Sequence, residues 1–372
     1  MFIMGDNTLG TRFQISSFGE SHGKVIGVLI DGTPAGLNFD LDFIQHELDK
    51  RKPGQSNLTT ARKELDKVEV LSGIFNNKTT GAPICLIIKN QSYDSTKYDK
   101  FKEFLRPSHV DYVLLKKYGG FADYRGSGRF SGRITAGFVM AGAIAKLILN
   151  KFNIFTFAYT ESIGKISDST EYFADDIEQL IVVRDKSPVK ALNAKLSIKM
   201  ENEIESVKNL KDSVGGSIKC VAKNIPPGIG GPVFNSLEAK ISRALFAIPA
   251  IKGIEFGAGF KAMNMRGSEH NDPWIIKNGE VSTSKNDSGG IIGGISTGMP
   301  LTLRVAIKPT ASIGMLQKTV NIKTMKETEI ELEGDHDPCI VPRAVVVVES
   351  MLAIVLLDQL LIEGFIPTVL NS

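Results

Sequence analysis

Ser131-Gly132-Arg133-Ile134-Thr135-Ala136-Gly137-Phe138-Val139-Met140-Ala141-Gly142-Ala143-Ile144-Ala145-Lys146-Leu147-Ile148-Leu149-Asn150 reads as a helix that is small or apolar nearly all round. A surface helix keeps a polar face, so a helix without one must be covered on both sides. Gly137, Ala141, Gly142, Ala143 and Ala145 let other elements approach closely. Segment 342–363 has the same character. Its longest apolar run, Ala344 to Leu357, is broken by Glu349 and stopped by Asp358, short of the roughly 20 apolar residues a bilayer requires. The two helices predict an α+β fold, a β-α-β sandwich with a central helical layer between antiparallel sheets.

Outward from these helices the chain is rich in glycine, 36 of 372 residues, set mostly between short β-branched runs as tight turns between strands require. Strands are predicted at 14–17, 25–31, 68–75, 82–89, 195–204, 215–223, 253–260 and 301–307. Further helices are predicted at 40–51, 107–118, 175–186 and 236–248. Ser21 to Leu37 aligns without a gap against Ser213 to Ile229: each reads Ser-x-Gly-x-x-Ile, an apolar strand, then Pro-x-Gly and an aliphatic residue. Thr80-Gly81-Ala82-Pro83-Ile84 is echoed by Thr297-Gly298-Met299-Pro300-Leu301. The echoes suggest one domain over 1–372 built from two similar halves, 1–150 and 205–372, about a pseudo-twofold axis, with 151–204 as an elaboration. Only the first copy carries His22; its counterpart is Val214.

The 44 basic and 41 acidic residues are too evenly balanced for a nucleic-acid footprint, so the informative cations are local ones. Cys85, Cys220 and Cys339 lie far apart and form no CxxC, which argues against a disulfide framework or zinc ribbon and for a reducing cytoplasm. The first ten residues have no basic start followed by an apolar run, so no targeting peptide is expected.

The sharpest basic constellation is Asp123-Tyr124-Arg125-Gly126-Ser127-Gly128-Arg129-Phe130-Ser131-Gly132-Arg133, running into a helix start. Glycines allow close backbone approach, a helix N-terminus offers free N–H groups, and arginines at four-residue spacing add bidentate donors for phosphate. The other reading is a glycine-rich turn with solvated arginines. A nucleic-acid module using Arg125, Arg129 and Arg133 is disfavoured by the low net charge and the scarcity of nearby aromatics. His22, His109 and His336 sit in loops, where imidazole can reach a ligand and act as a general acid, although a lone histidine is more often structural. No histidines stand three or four apart, so no metal site is expected. Asp335 and Asp337 are a carboxylate pair, turn formers or, by default, a helix cap. Lys308-Pro309-Thr310-Ala311-Ser312 closes a strand, where ligand loops often lie. The residues alone therefore suggest an enzyme for a small phosphorylated anion with histidine acid chemistry.

Four stretches lie in order along the chain: Phe18-Gly19-Glu20-Ser21-His22-Gly23, Phe104-Leu105-Arg106-Pro107-Ser108-His109-Val110-Asp111-Tyr112, Lys117-Tyr118-Gly119-Gly120-Phe121-Ala122-Asp123-Tyr124-Arg125-Gly126, and His336-Asp337-Pro338-Cys339 with Pro342-Arg343-Ala344. Together they resemble the signatures of the chorismate synthase family. The resemblance implies a cytoplasmic homotetramer, free of nucleic acid and membrane, that binds reduced FMN, with NADPH as a reductant. It further implies anti 1,4-elimination of phosphate from 5-enolpyruvylshikimate 3-phosphate to give chorismate, the last step of the shikimate pathway. By matching position, His109 is expected to protonate or stabilise the leaving phosphate or nearby flavin, His22 to act as an acid towards the flavin ring, and Asp337 to assist proton removal. Ser21, Arg51, Ser131 and Arg133 are expected to hold the substrate. Arg129, Ser131, Ala250, Gly293, Lys308, Thr310 and Ser312 are expected to line the FMN site. The family pattern is broken at Asn57, at Asp335, and at Ile134, where the usual residue is glutamate. These departures leave a catalytically impaired flavin- or phosphate-binding homologue as the alternative.

Overall fold

The computed structural model describes residues 5–54, 66–90, 96–172, 176–332 and 336–370, without the side chains of 96 and 97. Among them are two five-stranded antiparallel sheets. The first runs across Thr8–Leu9, Gln14–Gly19, Val25–Asp31, Ile84–Lys89 and Val68–Val70. The second runs across Ile251–Phe256, Leu301–Ile307, Gly216–Lys223, Phe155–Ile163 and Ile166–Ser167. Side chains alternate across a strand, so one face can be wholly apolar. The cross-strand pairs Ile26↔Ile88, Val28↔Leu86 and Ile30↔Ile84 put six fully buried residues on the inner face of the first sheet.

That face packs on the helix Thr135–Lys151, which packs in turn on Val341–Ile362, and the latter lies on Phe155–Ile163 and Gly216–Lys223. Leu41–Asp49 flanks the first of these helices and Leu237–Phe246 the second. Both long helices are apolar enough to cross a membrane by length and composition, yet their side chains are buried within the protein. The helices meet at Gly142, where a Cβ would stand 2.2 Å from the Cβ of Ser350. Gly142→Ala therefore forces the two backbones apart. It is expected to destabilise the fold by about 1–3 kcal/mol, read as a lower denaturant midpoint at unchanged slope; an unchanged midpoint would contradict this crossing.

Glu349, the charge that interrupts the apolar run, has a structural explanation. The strand Phe155–Ile163 is paired on its outer side only at Ser162 and Ile163, so the backbone at Ala158 needs other partners. Glu349 accepts the Ala158 N–H at 2.8 Å, and Arg184, from the helix Ile177–Lys186, donates to the Ala158 carbonyl at 3.0 Å and to Glu349 at 2.7 Å. Lys146 joins Glu349 to Glu47 on Leu41–Asp49. Asp358 ends the apolar run by accepting the backbone N–H groups of Thr11, Arg12 and Phe13.

Several predicted elements are corrected. Segment 195–204 is not a strand but part of the helix Ala194–Asn209, capped by the Asn193 side chain accepting from Lys195 and Leu196 N–H. Its apparent two-residue alternation would bury Ile198, which is 60% exposed, whereas Met200 and Ile204, four apart, are buried. Strand Phe155–Ile163 was not predicted, although Phe155, Phe157 and Tyr159 alternate with Thr156, Ala158 and Thr160; both of its faces are largely buried, so the alternation is one of residue size and not of apolar against charged. Segment 253–260 divides into the strand Ile251–Phe256 and the 3-10 turn Gly259–Asn264. Segment 68–75 is broken into Val68–Val70 and Ile74–Phe75 by a turn at Gly73, whose φ is 86°.

Candidate active site

A cavity of about 470 Å³ opens where the first turns of Thr135–Lys151 and Val341–Ile362 come together with the loops that follow Leu41–Asp49, Leu237–Phe246 and Leu301–Ile307. Two helix N-termini at one cavity favour negative charge. Among the described residues, Arg51, Arg106, Arg133, Lys308 and Arg343 line it, against a single lining carboxylate, Asp337. The apolar lining of the cavity is formed by Ile248, Pro249, Ala250, Ile340, Ala344 and Val347.

Arg51 and Arg133 are held from behind by one buried carboxylate. Asp66 accepts from Arg51 Nη2 at 3.3 Å and from Arg133 Nη1 at 2.6 Å. Burial alone would raise the Asp66 carboxyl, but the two guanidinium charges outweigh it and hold it below the usual range. Arg133 also donates from Nε and Nη2 to Asn90 Oδ1, both at 3.2 Å, while the Asn90 amide donates to the carbonyls of Glu20 and Gly23, so Arg133 is tied to the loop bearing Ser21 and His22. Ser131 caps the helix start by accepting the Arg133 N–H at 3.2 Å.

A second group surrounds His109. Asp111 accepts a fork from Arg106, at 2.9 Å from Nε and 2.6 Å from Nη2, and lies 3.0 Å from His109 Nδ1. His109 Nε2 is 3.2 Å from Ser127 Oγ. Burial pushes the Asp111 carboxyl up, but hydrogen bonds from Arg106 and His109 prevail and hold it well below the usual range.

The third group comprises Asp337, ion-paired to Arg343, and Thr310, whose hydroxyl donates to the Asp337 carbonyl at 2.9 Å. Arg343 Nε donates to the Arg51 carbonyl at 3.0 Å, which links this group to the first. Burial, with a smaller contribution from nearby Lys252, lowers the Lys308 ammonium below its usual value. Ser108, Ser127 and Ala250 line the cavity with φ of 54°, 70° and 75°, and Asp66 behind it has φ of 40°. Non-glycine residues held in this region cost free energy and gather at functional sites.

Of the substrate residues expected from sequence, Ser21, Arg51, Ser131 and Arg133 line the cavity. So do His109 and Asp337, and so do Ala250, Lys308, Thr310 and Ser312. Three expected residues do not. His22 is 2% exposed behind Ser21, its ring edge-on to the cavity residue Tyr98 at 5.0 Å and hard against Gly126. Arg129 donates to the Gly19 carbonyl, to Asn7 and to Ser17, pinning its loop to the first sheet. Gly293 stands in the turn between Ile291–Ile292 and Ile295–Ser296, away from the cavity. The arginines at four-residue spacing thus diverge: Arg125 forks onto Asp123, Arg129 serves the sheet, and Arg133 alone of the three faces the cavity. Ile134 is core-packed, while Asn57 and Asp335 lie outside the described residues.

Sequence reasoning missed Asp66, Asn90, Ser127 and the roles of Arg106, Asp111 and Arg343. Arg106 and Asp111, in the same short motif as His109, and Arg343, in the last motif, had a local signal; Asp66 and Asn90 had none. Among the described residues no cluster of His, Cys, Asp and Glu could hold a metal ion.

Five cations, an ordered imidazole and an apolar wall around one cavity define an enzyme site for a small organic polyanion. A family model for chorismate synthase matches residues 13–361. A chorismate synthase of Dehalococcoides mccartyi is 52% identical over 366 residues, spanning 98% of this chain and 100% of the relative. One of Methanocaldococcus jannaschii is 48% identical over 372 residues, 97% of each chain. A crystal structure of a chorismate synthase superposes with a TM-score of 0.75 at 30% identity, covering 95% of this chain and 93% of the other. The chain belongs to the chorismate synthase family. Relatives of this identity and coverage leave the alternative of an impaired homologue without support.

Proposed function

We propose that this chain is a carbon–oxygen lyase that eliminates phosphate from 5-enolpyruvylshikimate 3-phosphate to give chorismate. The observation that carries the reading is the convergence of Arg51 and Arg133 with Ser21 and Ser131 beside His109. The substrate bears a phosphate and two carboxylates, and the cationic wall answers that charge with bidentate donors whose orientation Asp66 and Asn90 hold in advance. His109 lies within reach of the cavity and supplies a proton, or a hydrogen bond, to the departing phosphate oxygen. Ser21 joins these donors, and His22 supports it from behind.

The remaining wall suits a flat apolar ring system carrying a phosphate. The aliphatic side chains of Ile248, Ile340 and Val347 offer a surface for the ring, and Lys308, Thr310 and Ser312 offer donors for the phosphate, with Ala250 between them. Reduced FMN, when bound, lends electron density to the breaking C–O bond. Asp337, oriented by Arg343, is the carboxylate available among the described lining residues to accept the ring proton. Incubation of the protein under anaerobic conditions with reduced FMN and 5-enolpyruvylshikimate 3-phosphate is expected to release phosphate and chorismate in equal amounts. Neither product would end the reading. Omitting external reductant but adding NADPH tests the proposed reductant.

The same reading takes the fold as a β-α-β sandwich of duplicated halves. Its support is that Val25–Asp31 and Gly216–Lys223, which carry the first echo, are each the middle strand of a five-stranded sheet. Ile84–Lys89 and Leu301–Ile307, which carry the second, lie beside them. Phe155–Ile163 then corresponds to Gln14–Gly19, so the second repeat begins near 155 rather than 205. A homotetramer in the cytoplasm remains part of the proposal, supported by exposed apolar side chains such as Phe234, Trp274, Ile276 and Val281.

A further inference from the structure

We propose that Asp111 and Arg106 are positioning residues that lock His109 in a single tautomer, with the proton on Nδ1 and the Nε2 lone pair directed at Ser127. The proposal rests on the reading of His109 as the group that exchanges a proton with the substrate: with Nδ1–H fixed on Asp111, Nε2 is the atom that takes up the proton and gives it to the departing phosphate oxygen, which returns the ring to this tautomer.

The four side chains form a closed ring of hydrogen bonds, and elementary donor and acceptor chemistry sets its direction. Arginine only donates, and an ionised carboxylate only accepts. Arg106 Nη2 is 3.4 Å from Ser127 Oγ, which therefore accepts there and has its own proton left to give. Its other partner is His109 Nε2 at 3.2 Å, which can take that proton as the acceptor nitrogen, although a serine oxygen can also accept twice. The proton of a neutral imidazole is left to Nδ1, where Asp111 Oδ1 at 3.0 Å receives it. Starting from Asp111 gives the same answer, because Asp111 can offer Nδ1 nothing but a lone pair. The Asp111 end thus enforces one tautomer of the neutral imidazole, and the Ser127 end accommodates it.

The ring is also held rigidly. The Arg106 guanidinium lies 4.3 Å over the Phe101 ring and forks onto Asp111, while the Asp111 carboxylate also accepts the Arg106 backbone N–H at 3.0 Å. Arg106 and Ser127 are each 7% exposed. Ser127 keeps its left-handed backbone between two glycines of the same hand, Gly126 and Gly128, with φ of 54° and 50°. A strained, buried serine aimed at an imidazole is what positional control of that nitrogen requires.

The test is nitrogen NMR of the full-length protein labelled with [15N]histidine, the His109 signals being assigned by their loss in His109→Gln. In the unsubstituted protein, without substrate or flavin, Nε2 is expected to show the deshielded shift of a bare lone-pair nitrogen and Nδ1 that of a protonated one. In Asp111→Asn, whose amide can donate to Nδ1, the pattern is expected to reverse or mix. Turnover with reduced FMN is expected to fall by about 100-fold while KM changes by less than about threefold. An unsubstituted protein with Nε2 protonated, or with both tautomers mixed, overturns the proposal whether or not the variant folds. So does an Asp111→Asn protein that keeps the original tautomer, or one that reverses it at full turnover. Because the tautomer is read without substrate, its failure is distinguishable from absence of the lyase activity.

Discussion

His109→Ala is expected to lower kcat for chorismate formation by about 100-fold or more, with the circular dichroism spectrum and Tm nearly unchanged. The catalytic loss follows because the His109 side chain is 19% exposed, lines the cavity and is held between Asp111 and Ser127, whereas His22 is buried behind Ser21; His336 also lines the cavity but is no member of that ring. The fold should survive because the partners of His109 are provided for without it. Asp111 keeps both bonds of its fork from Arg106, so no buried carboxylate is orphaned, and Ser127 retains its contact with Arg106. KM should move little, since Arg51 and Arg133 keep their anchors on Asp66. Steady-state kinetics under anaerobic conditions separate the outcomes. A variant with normal kcat and a raised KM would show that His109 only binds substrate, and proton transfer would have to be sought elsewhere.

The largest loss of stability is expected at Lys146, far from the chemistry. Lys146→Met should destabilise the protein by about 3–5 kcal/mol near neutrality, measured by denaturant unfolding. Lys146 is nearly buried between Glu47 and Glu349, and methionine of similar length leaves both carboxylates facing each other without the ammonium. Arg184 still pairs with Glu349 and Lys50 with Glu47, so the network weakens without vanishing. The pH dependence has a definite sign. Burial pushes the Glu47 carboxyl up, but Lys146 and Lys50 outweigh it and hold it at about 2, below the ordinary 4.5. The unfolded chain therefore takes up this proton first, and the stability Glu47 contributes is complete above about 4.5 and drains away as pH falls towards 2. Without Lys146, burial dominates and the carboxyl titrates higher. The gap between variant and parent should accordingly narrow near pH 4. A gap that stays constant with pH would show that the loss came from packing alone.

Much of the architecture was legible because it is written in periodicity and in residue size. A helix with no polar face, such as 131–150, cannot lie on a surface, and the glycine and alanine within it fit the close crossing at Gly142 and Ser350. The strands 25–31 and 301–307 and the echo that relates 21–37 to 213–229 were equally plain. Patterns failed where they are ambiguous. Leu196, Ile198 and Met200 alternate like a strand, yet Asn193 caps a helix there. Phe155–Ile163 is buried on both faces along most of its length, so its alternation of aromatic residues with Thr and Ala lacks the apolar–polar contrast of a half-exposed strand.

At the site the division is similar. The amino-acid sequence by itself determined which residue types are available and, through four short motifs in order, two of which contain His109 and Asp337, the family to which the chain belongs. Only the tertiary structure decided what each charge does. Arg125, Arg129 and Arg133 look alike in a repeating motif, but they end on Asp123, on the backbone of the first sheet and on Asp66. Asp66 and Asn90 have no local signature at all, because their work is to meet side chains distant in the chain. The role of a charged side chain is set chiefly by the group lying within about 3 Å of it, since a hydrogen bond needs that distance and the slower Coulomb attraction is also strongest at contact. That neighbour is chosen by the packing of two sheets on two helices, which no short stretch of sequence contains.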